Sequence, residues 1–231
     1  MKECKSTCDL NTCFLCKNCL SEWLPAVDTH RKNFEVKKGE QIFKEGDPAK
    51  GMYFIYKGTA KVHKRWDKEK DLIIRFAKKG DMLGYLGLGN DPIYPVSTTA
   101  LEPMVVCYLE MAFFETTLSV NTGFTYKLMR FFANELQESE KRMRNLAHMS
   151  VKARIAQAFL ALKDQFGADQ NGLIGIEVTK QDVSSYAGVS YETLFKVSQE
   201  LTRLKIIELQ GKSIIIIDAG QLIQIVKEDN Q

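Results

Sequence analysis

"TKQDVSSYAGVSYETLFKVSQELTRL", residues 179–204, is the stretch whose reading decides the fold. Thr179 is placed to cap a helix, and Asp182 stands three positions on, in the reciprocal place of a capping box. Val183, Tyr186 and Ala187 give that helix an apolar face. Gly188 supplies a tight turn, Val189 plugs the space between helices, and Ser190 caps a second helix. Leu194, Val197 and Leu201 predict its buried side, with Tyr191, Glu192, Phe195, Lys196 and Gln199 on the opposite side. Two short helices joined by a glycine turn predict a helix-turn-helix, whose second helix fits the DNA major groove. Downstream, "IIELQGKSIIIID" (206–218) reads as a hairpin wing around Gln210-Gly211-Lys212, near the phosphate backbone. Thr179, Ser190, Tyr191, Glu192, Phe195, Lys196 and Lys212 are therefore the expected DNA-binding residues. Residues 179–213 hold five Lys/Arg against four Asp/Glu, so electrostatic affinity must come from where the cations sit and from having two copies. A helical bundle that binds no DNA is the competing reading; the wing and the helix upstream argue against it.

Working outward, Met129, Phe132, Leu136, Ser139, Met143, Leu146, Ser150 and Ala153 alternate by three and four, which is a heptad seam. Glu135, Glu138, Glu140, Lys141, Arg142 and Arg144 lie between them as a solvated flank. A long helix with a narrow apolar stripe needs another helix to cover it. Packing against its own domain would do so. The thin stripe and broad charged flank favour a parallel homodimer through Met129, Phe132, Leu136, Met143 and Leu146. Residues 121–150 are read as this dimerisation helix and 151–231 as the winged helix-turn-helix domain.

Residues 21–120 carry short alternating runs instead. Tyr53/Ile55 and Phe54/Tyr56 are period-two pairs on opposite faces of one strand. Gly39, Gly46, Gly58 and Gly80 fall between the runs, and "WDKEKD" (66–71) reads as a polar hairpin loop. Many short strands with regular turns predict an antiparallel β-roll, a jelly-roll-like sensor domain, so the expected fold class is α+β.

The chain has 231 residues, 45% hydrophobic and 26% charged, with a net charge of +3, which fits a folded chain with a core and neither proves nor excludes nucleic acid. It has no signal-peptide stretch and no apolar run of about 18 residues, so a cytoplasmic protein without a membrane partner is expected. There is no phosphate loop, no G-x-S-x-G and no H-E-x-x-H, so the chain is not read as an enzyme.

Five of the six cysteines lie in the first nineteen residues, spaced C-x3-C-x4-C-x2-C-x2-C, which sets residues 1–20 apart as a cysteine-rich arm. In a reducing compartment such a group suggests a metal or redox site more than a disulfide framework. The sixth, Cys107, lies in a strand where Val105, Cys107 and Leu109 share a face. It could be a small buried hydrophobe. The arm could bind zinc or form a thiol–disulfide switch. His30, His63 and His148 are scattered, without metal-ligand spacing, and are expected at the surface.

With "KKGEQIFKEGDPAKGMYFIYKGTAKV" (37–62), the 121–150 helix and "VSYETLFKV" (189–197) together, the chain resembles the Crp/Fnr family of bacterial transcription regulators over nearly its whole length. The resemblance implies a cyclic-nucleotide-binding-like β-roll, a homodimer reading palindromic double-stranded DNA, and RNA polymerase as a partner. Glu192 aligns with the family's base-reading glutamate and Lys196 with its base-reading arginine; Phe195 stands where the FNR branch usually has serine. A TTGA-like half-site is implied, relaxed because lysine lacks arginine's bidentate fork. The family's cyclic AMP residues, a Gly-Glu pair and an Arg before Ser or Thr, are replaced by Gly84-Tyr85-Leu86 and Ser97-Thr98-Thr99, which argues against cyclic AMP. "ALEPMVVCYLE" (100–110) resembles the FNR-branch segment that supplies the fourth ligand of an oxygen-sensing [4Fe–4S] cluster. That implies Cys107 and three arm cysteines as ligands; Cys13, Cys16 and Cys19 are the tightest set and lie closest to the folded domain. The branch's C-x2-C-x5-C is not reproduced, so Cys8 could replace one of the arm cysteines. By resemblance the loaded state is the DNA-binding dimer, dismantled by oxygen or nitric oxide. Haem-bound gas or a small organic ligand in the roll is the alternative effector.

Overall fold

A computed structural model describes residues 1–5, 11–65 and 71–229 of the chain. The chain divides into two compact units, Met1–Leu136 and Gln137–Gln231.

The first unit runs β1 (Lys2–Cys4), α1 (Phe14–Asn18), α2 (Leu24–His30), β2 (Lys32–Val36), β3 (Gln41–Phe43), β4 (Gly51–Lys57), β5 (Ala60–Arg65), β6 (Asp71–Ala77), β7 (Met82–Leu83), β8 (Ser97–Ala100), β9 (Met104–Glu110) and α3 (Met111–Val120), then enters α4 (Thr122–His148). The strands make two antiparallel sheets, ordered β1-β2-β9-β4-β7 and β3-β8-β5-β6. The sheets enclose one core: Tyr53, Ile55 and Val106 from the first meet Val62, Ala77 and Ala100 from the second. The outer face of the five-stranded sheet forms a second core, where Met52, Phe54, Cys107 and Leu109 lie under Leu15, Val27, Phe114 and Phe124 of the helices. This accounts for the nearly continuous apolar runs of β4 and β9. A strand covered on both faces has no solvent side to fill with polar residues. Each large side chain so buried contributes about 1.5–3 kcal/mol by leaving water.

The period-two reading of β4 holds, with Tyr53 and Ile55 facing the roll and Phe54 facing the helices. Gly39, Gly46, Gly58 and Gly80 all have φ between 80° and 94°. Strands β5 and β6 pair with Arg65 opposite Asp71; the loop expected at 66–71 lies, but for Asp71, outside the described residues. Helices α2 and α3 are not among the sequence expectations. His63 differs from its expected surface position. It is 5% exposed, with Nε2 2.9 Å from Thr99 Oγ1 and Nδ1 3.0 Å from Asp71 Oδ2, because the β5–β8 pairing covers it.

The second unit takes the end of α4, then α5 (Val151–Phe166), α6 (Lys180–Ala187), α7 (Tyr191–Arg203), β10 (Ile207–Gln210), β11 (Ser213–Ile216) and α8 (Ala219–Glu228). The heptad seam ends sooner than its spacing suggests. Ser150 is not a seam residue: its hydroxyl accepts from Ala153 N–H at 3.2 Å and caps α5, and Ala153 is fully buried. A serine whose side chain satisfies an orphan N–H starts a new helix rather than continuing the old one. No helix among the described residues is long and apolar enough to cross a membrane.

Candidate nucleic-acid interface and thiol site

The helix-turn-helix forms from local chemistry. Thr179 Oγ1 accepts from Asp182 N–H at 3.0 Å, and the Asp182 carboxylate accepts from Thr179 N–H at 3.3 Å, closing the capping box. Gly188 ends α6 at φ 65°, in the left-handed region where a side chain is strained; a Cβ there would also meet Leu146 Cδ2 at 2.6 Å, the movable end of an exposed side chain. Ser190 Oγ accepts from Thr193 N–H at 3.2 Å and starts α7. Leu194, Ser198 and Leu201 are buried, while Tyr191, Glu192, Phe195, Lys196 and Gln199 share the exposed side. Tyr191 and Phe195 are each 42% exposed, and Lys180 Nζ stands 5.9 Å from the Phe195 ring centroid. Strands β10 and β11 pair from Ile207↔Ile216 to Gln210↔Ser213, leaving Gly211 and Lys212 at the tip with Lys212 exposed. Of the expected residues, Thr179 and Ser190 thus spend their hydroxyls on caps. Thr179→Ala is expected to destabilise the C-terminal unit by about 1–2 kcal/mol, read by urea unfolding followed by circular dichroism.

On α4, Met129, Leu136, Met143 and Leu146 are exposed at 58%, 62%, 64% and 42%. Phe132 is half-buried, with its ring 5.7 Å from that of Tyr85 and 6.0 Å from that of Phe131. The helix therefore offers an apolar stripe with one member drawn into its own unit.

The cysteines far apart in sequence come together. Cys13, Cys16 and Cys107 are buried in the core on the outer sheet face, and Cys19 packs against it. No disulfide joins the described cysteines. Cys13 caps α1, its sulfur accepting from Cys16 N–H at 3.4 Å. Phe14 N–H donates to Gly80 carbonyl at 3.1 Å and holds α1 on the roll. Cys107 is presented by β9, between Asn33 of β2 and Phe54 of β4. Cys4, on edge strand β1, stands opposite Asn33 and outside this core; Cys8 lies outside the described residues.

Sequence reasoning missed Asn121, the fully buried residue before α4. Its Oδ1 accepts from the Cys19 thiol at 3.3 Å and from Leu20 N–H at 2.9 Å, while its Nδ2 donates to Thr117 carbonyl at 3.0 Å. The end of the arm is therefore tied to the start of α4 through one amide. An asparagine between two helical segments carried no signal for this. Burial pushes the Cys19 thiol up, opposed by the Leu20 backbone, which agrees with a protonated sulfur acting as donor.

Thiols are the donors an iron–sulfur cluster takes, and here three of them are buried in one apolar core with the half-buried Cys19 packed against it; the Cys16 N–H that donates to the Cys13 sulfur is of the kind that steadies a cluster sulfur. Among the described residues no three His, Cys, Asp or Glu side chains already stand as a chelating set. The donor type fits a cluster, and the geometry of the described residues does not by itself form the site.

In the roll, Tyr85 is buried, its hydroxyl donates to Glu135 of α4, and burial raises its pKa. Arg75 lies over the Tyr85 ring at 5.4 Å and donates to Met82 carbonyl at 2.6 Å. No arginine adjoins Ser97 in sequence, yet β6 brings Arg75 into a cavity of about 10 Å³ that Thr98 and Gly84 also line. Arg75 Nε and Thr98 Oγ1 are buried there without partners among the described residues.

Comparison with known proteins adds four findings. The chain matches the family models "Cyclic nucleotide-binding domain" over residues 33–121 and "Crp-like helix-turn-helix domain" over 153–225. It is similar to Electron transport regulator A of Shewanella oneidensis, 28% identical over 191 residues, 81% of this chain and 75% of that protein. It is equally similar, 28% over 181 residues, to the cAMP-activated global transcriptional regulator CRP of Salmonella typhimurium, covering 76% of this chain and 84% of that one. Its fold matches FixK2 from Bradyrhizobium japonicum with a TM-score of 0.75 at 21% identity, covering 84% of this chain and 96% of that chain.

Proposed function

We propose, from the premise that this chain belongs to the Crp/Fnr family and is a DNA-binding transcription regulator rather than an enzyme, that it senses oxygen, redox state or nitric oxide through its cysteines. Cys13, Cys16, Cys19 and Cys107 would hold a [4Fe–4S] cluster, which when bound supplies reactivity toward oxygen and nitric oxide. The observation that carries this reading is the burial of arm and β9 thiols in one core, with Asn121 tying Cys19 to the first turn of α4. Ligating a metal needs the Cys19 thiolate. Losing its proton removes the S–H···O bond to Asn121, so the thiol's state is felt where the dimerisation helix begins. Protein purified without air should carry iron and sulfide in equal amounts; zinc alone, or neither, would sink the reading.

Two copies paired along Met129, Leu136, Met143 and Leu146 would set two α7 helices about 34 Å apart, one turn of the duplex. The site is then a palindrome, read in the cytoplasm and presented to RNA polymerase. Within α7, Glu192 accepts from a cytosine amine, Lys196 donates to guanine, and Phe195 packs on a thymine methyl. Lys196→Ala is expected to cost about 1–3 kcal/mol of affinity at matched sequence and little on mismatched DNA. Lys212→Ala should weaken both alike and lower the salt slope by about one per protomer. Fluorescence anisotropy over a salt series checks both.

A second reading keeps the DNA reader and assigns haem-bound gas or a small organic ligand in the roll, not cyclic AMP; Arg75 Nε and Thr98 Oγ1 are buried without partners among the described residues, and the cavity their residues line, about 10 Å³, would have to open to admit it. Full DNA affinity in reduced, metal-free protein would support it over the cluster.

A further inference from the structure

Within the N-terminal unit, Tyr85 joins the roll to α4. It opens a short 3₁₀ turn, Tyr85–Leu88, directly after Gly84. Gly84 has φ 84°, a left-handed conformation that glycine adopts without strain. Tyr85 is buried, with its ring near-perpendicular to that of Phe131 at 5.0 Å and 5.7 Å from that of Phe132. Its hydroxyl donates to the Glu135 carboxylate. The Arg75 guanidinium lies over the same ring at 5.4 Å and is itself held by the Met82 carbonyl at 2.6 Å and the Asp81 carboxylate at 3.7 Å. A ring set among a cation and two aromatic neighbours keeps one orientation, so the place of its hydroxyl is fixed. Burial raises the Tyr85 pKa, so the hydroxyl keeps its proton at neutral pH and remains a donor. A bond to a carboxylate is about twice as strong as one between neutral groups.

The residues that Tyr85 holds, Phe131, Phe132 and Glu135, lie on one side of α4. At about 100° per residue, Met129 and Leu136 lie roughly a quarter turn further around the helix. Those two are 58% and 62% exposed. Apolar contact is non-directional, so two phenylalanine rings by themselves tolerate small rotations of the helix. A hydrogen bond weakens steeply when it is bent, so the Tyr85–Glu135 bond selects one angle.

We propose that Tyr85 is a positioning residue for dimerisation: its bond to Glu135 sets the rotation of α4 about its own axis and so aims Met129 and Leu136 at a second copy of the chain. The inference rests on the reading of α4 as the dimerisation helix and adds which side chain of the roll controls it. The grip needs no bound effector. Tyr85 itself lines the cavity beside Arg75, and the space left there is about 10 Å³, room for one water at most.

The test is sedimentation equilibrium of the full chain purified without air. Tyr85→Phe keeps the ring and removes the hydroxyl. It should fold as the wild type does, by circular dichroism, and raise the dimer dissociation constant about tenfold. Glu135→Ala should do the same, and the double variant should be no worse than either single one, because both remove one bond. Glu135→Gln, which keeps a carbonyl acceptor, should retain more of the dimer than Glu135→Ala. A residue that merely fills the core would leave Tyr85→Phe dimerising like the wild type, and that result overturns the proposal. Additive losses in the double variant also overturn it, since the two groups would then act separately. If Glu135→Ala fails to fold, Tyr85→Phe decides alone. A wild type that stays monomeric would instead remove the dimer reading of α4, and the role of Tyr85 with it.

Discussion

Cys107→Ser should give a folded protein that cannot hold iron. Purified or reconstituted without air, it is expected to fall from about four irons per chain to a trace, with sulfide falling in parallel. The fold should survive because Cys107 sits in a strand held on both sides, opposite Asn33 and Phe54, and serine fits the same space. A hydroxyl buried where a thiol was costs about 1–3 kcal/mol if it finds no partner, which is tolerable for one site. Circular dichroism should therefore match the wild type while the brown colour and the anaerobic gain in DNA affinity are lost. Cys4→Ser is the control, since Cys4 lies on the edge strand outside the shared core, and it should load normally. Full iron in the Cys107→Ser protein would remove Cys107 from the ligand set.

The second large effect is expected on α4. Leu136 and Met143 are among the most exposed large apolar side chains of the chain, at 62% and 64%, so they contribute little to the protomer by themselves. Leu136→Asp with Met143→Asp would place like charges against each other in an apolar seam. The protomer should unfold at nearly the wild-type temperature yet sediment as a monomer. Affinity for a palindrome should then drop by about 10²–10⁴, the avidity lost when two half-sites are no longer read by one linked pair. A double variant that stays dimeric would mean that the stripe serves another purpose.

The two ends of the chain differed in how much could be read beforehand. Thr179, Asp182, Gly188 and Ser190 act on backbone groups within three or four positions, so their spacing alone named two helices and the turn between them. The same signal at Ser150 marks the end of α4, where the heptad count ran on to Ala153. There two local patterns competed, and a satisfied N–H outweighed a thin stripe. The burial of His63 was not legible, because it depends on β8 pairing beside β5.

What the residue order determined by itself is the alternation of β4, the positive-φ glycines, the caps and wing of the reader, and the apolar stripe of α4. All are properties of neighbours, set by backbone geometry at a period of two or of three and a half. Only the tertiary structure decided that Cys107 faces the arm and not the roll, that Arg75 shares a cavity with Thr98, and that Asn121 joins Cys19 to α4. Those depend on strand register and on which face of a sheet the helices cover, and contacts between distant segments leave no trace in local spacing.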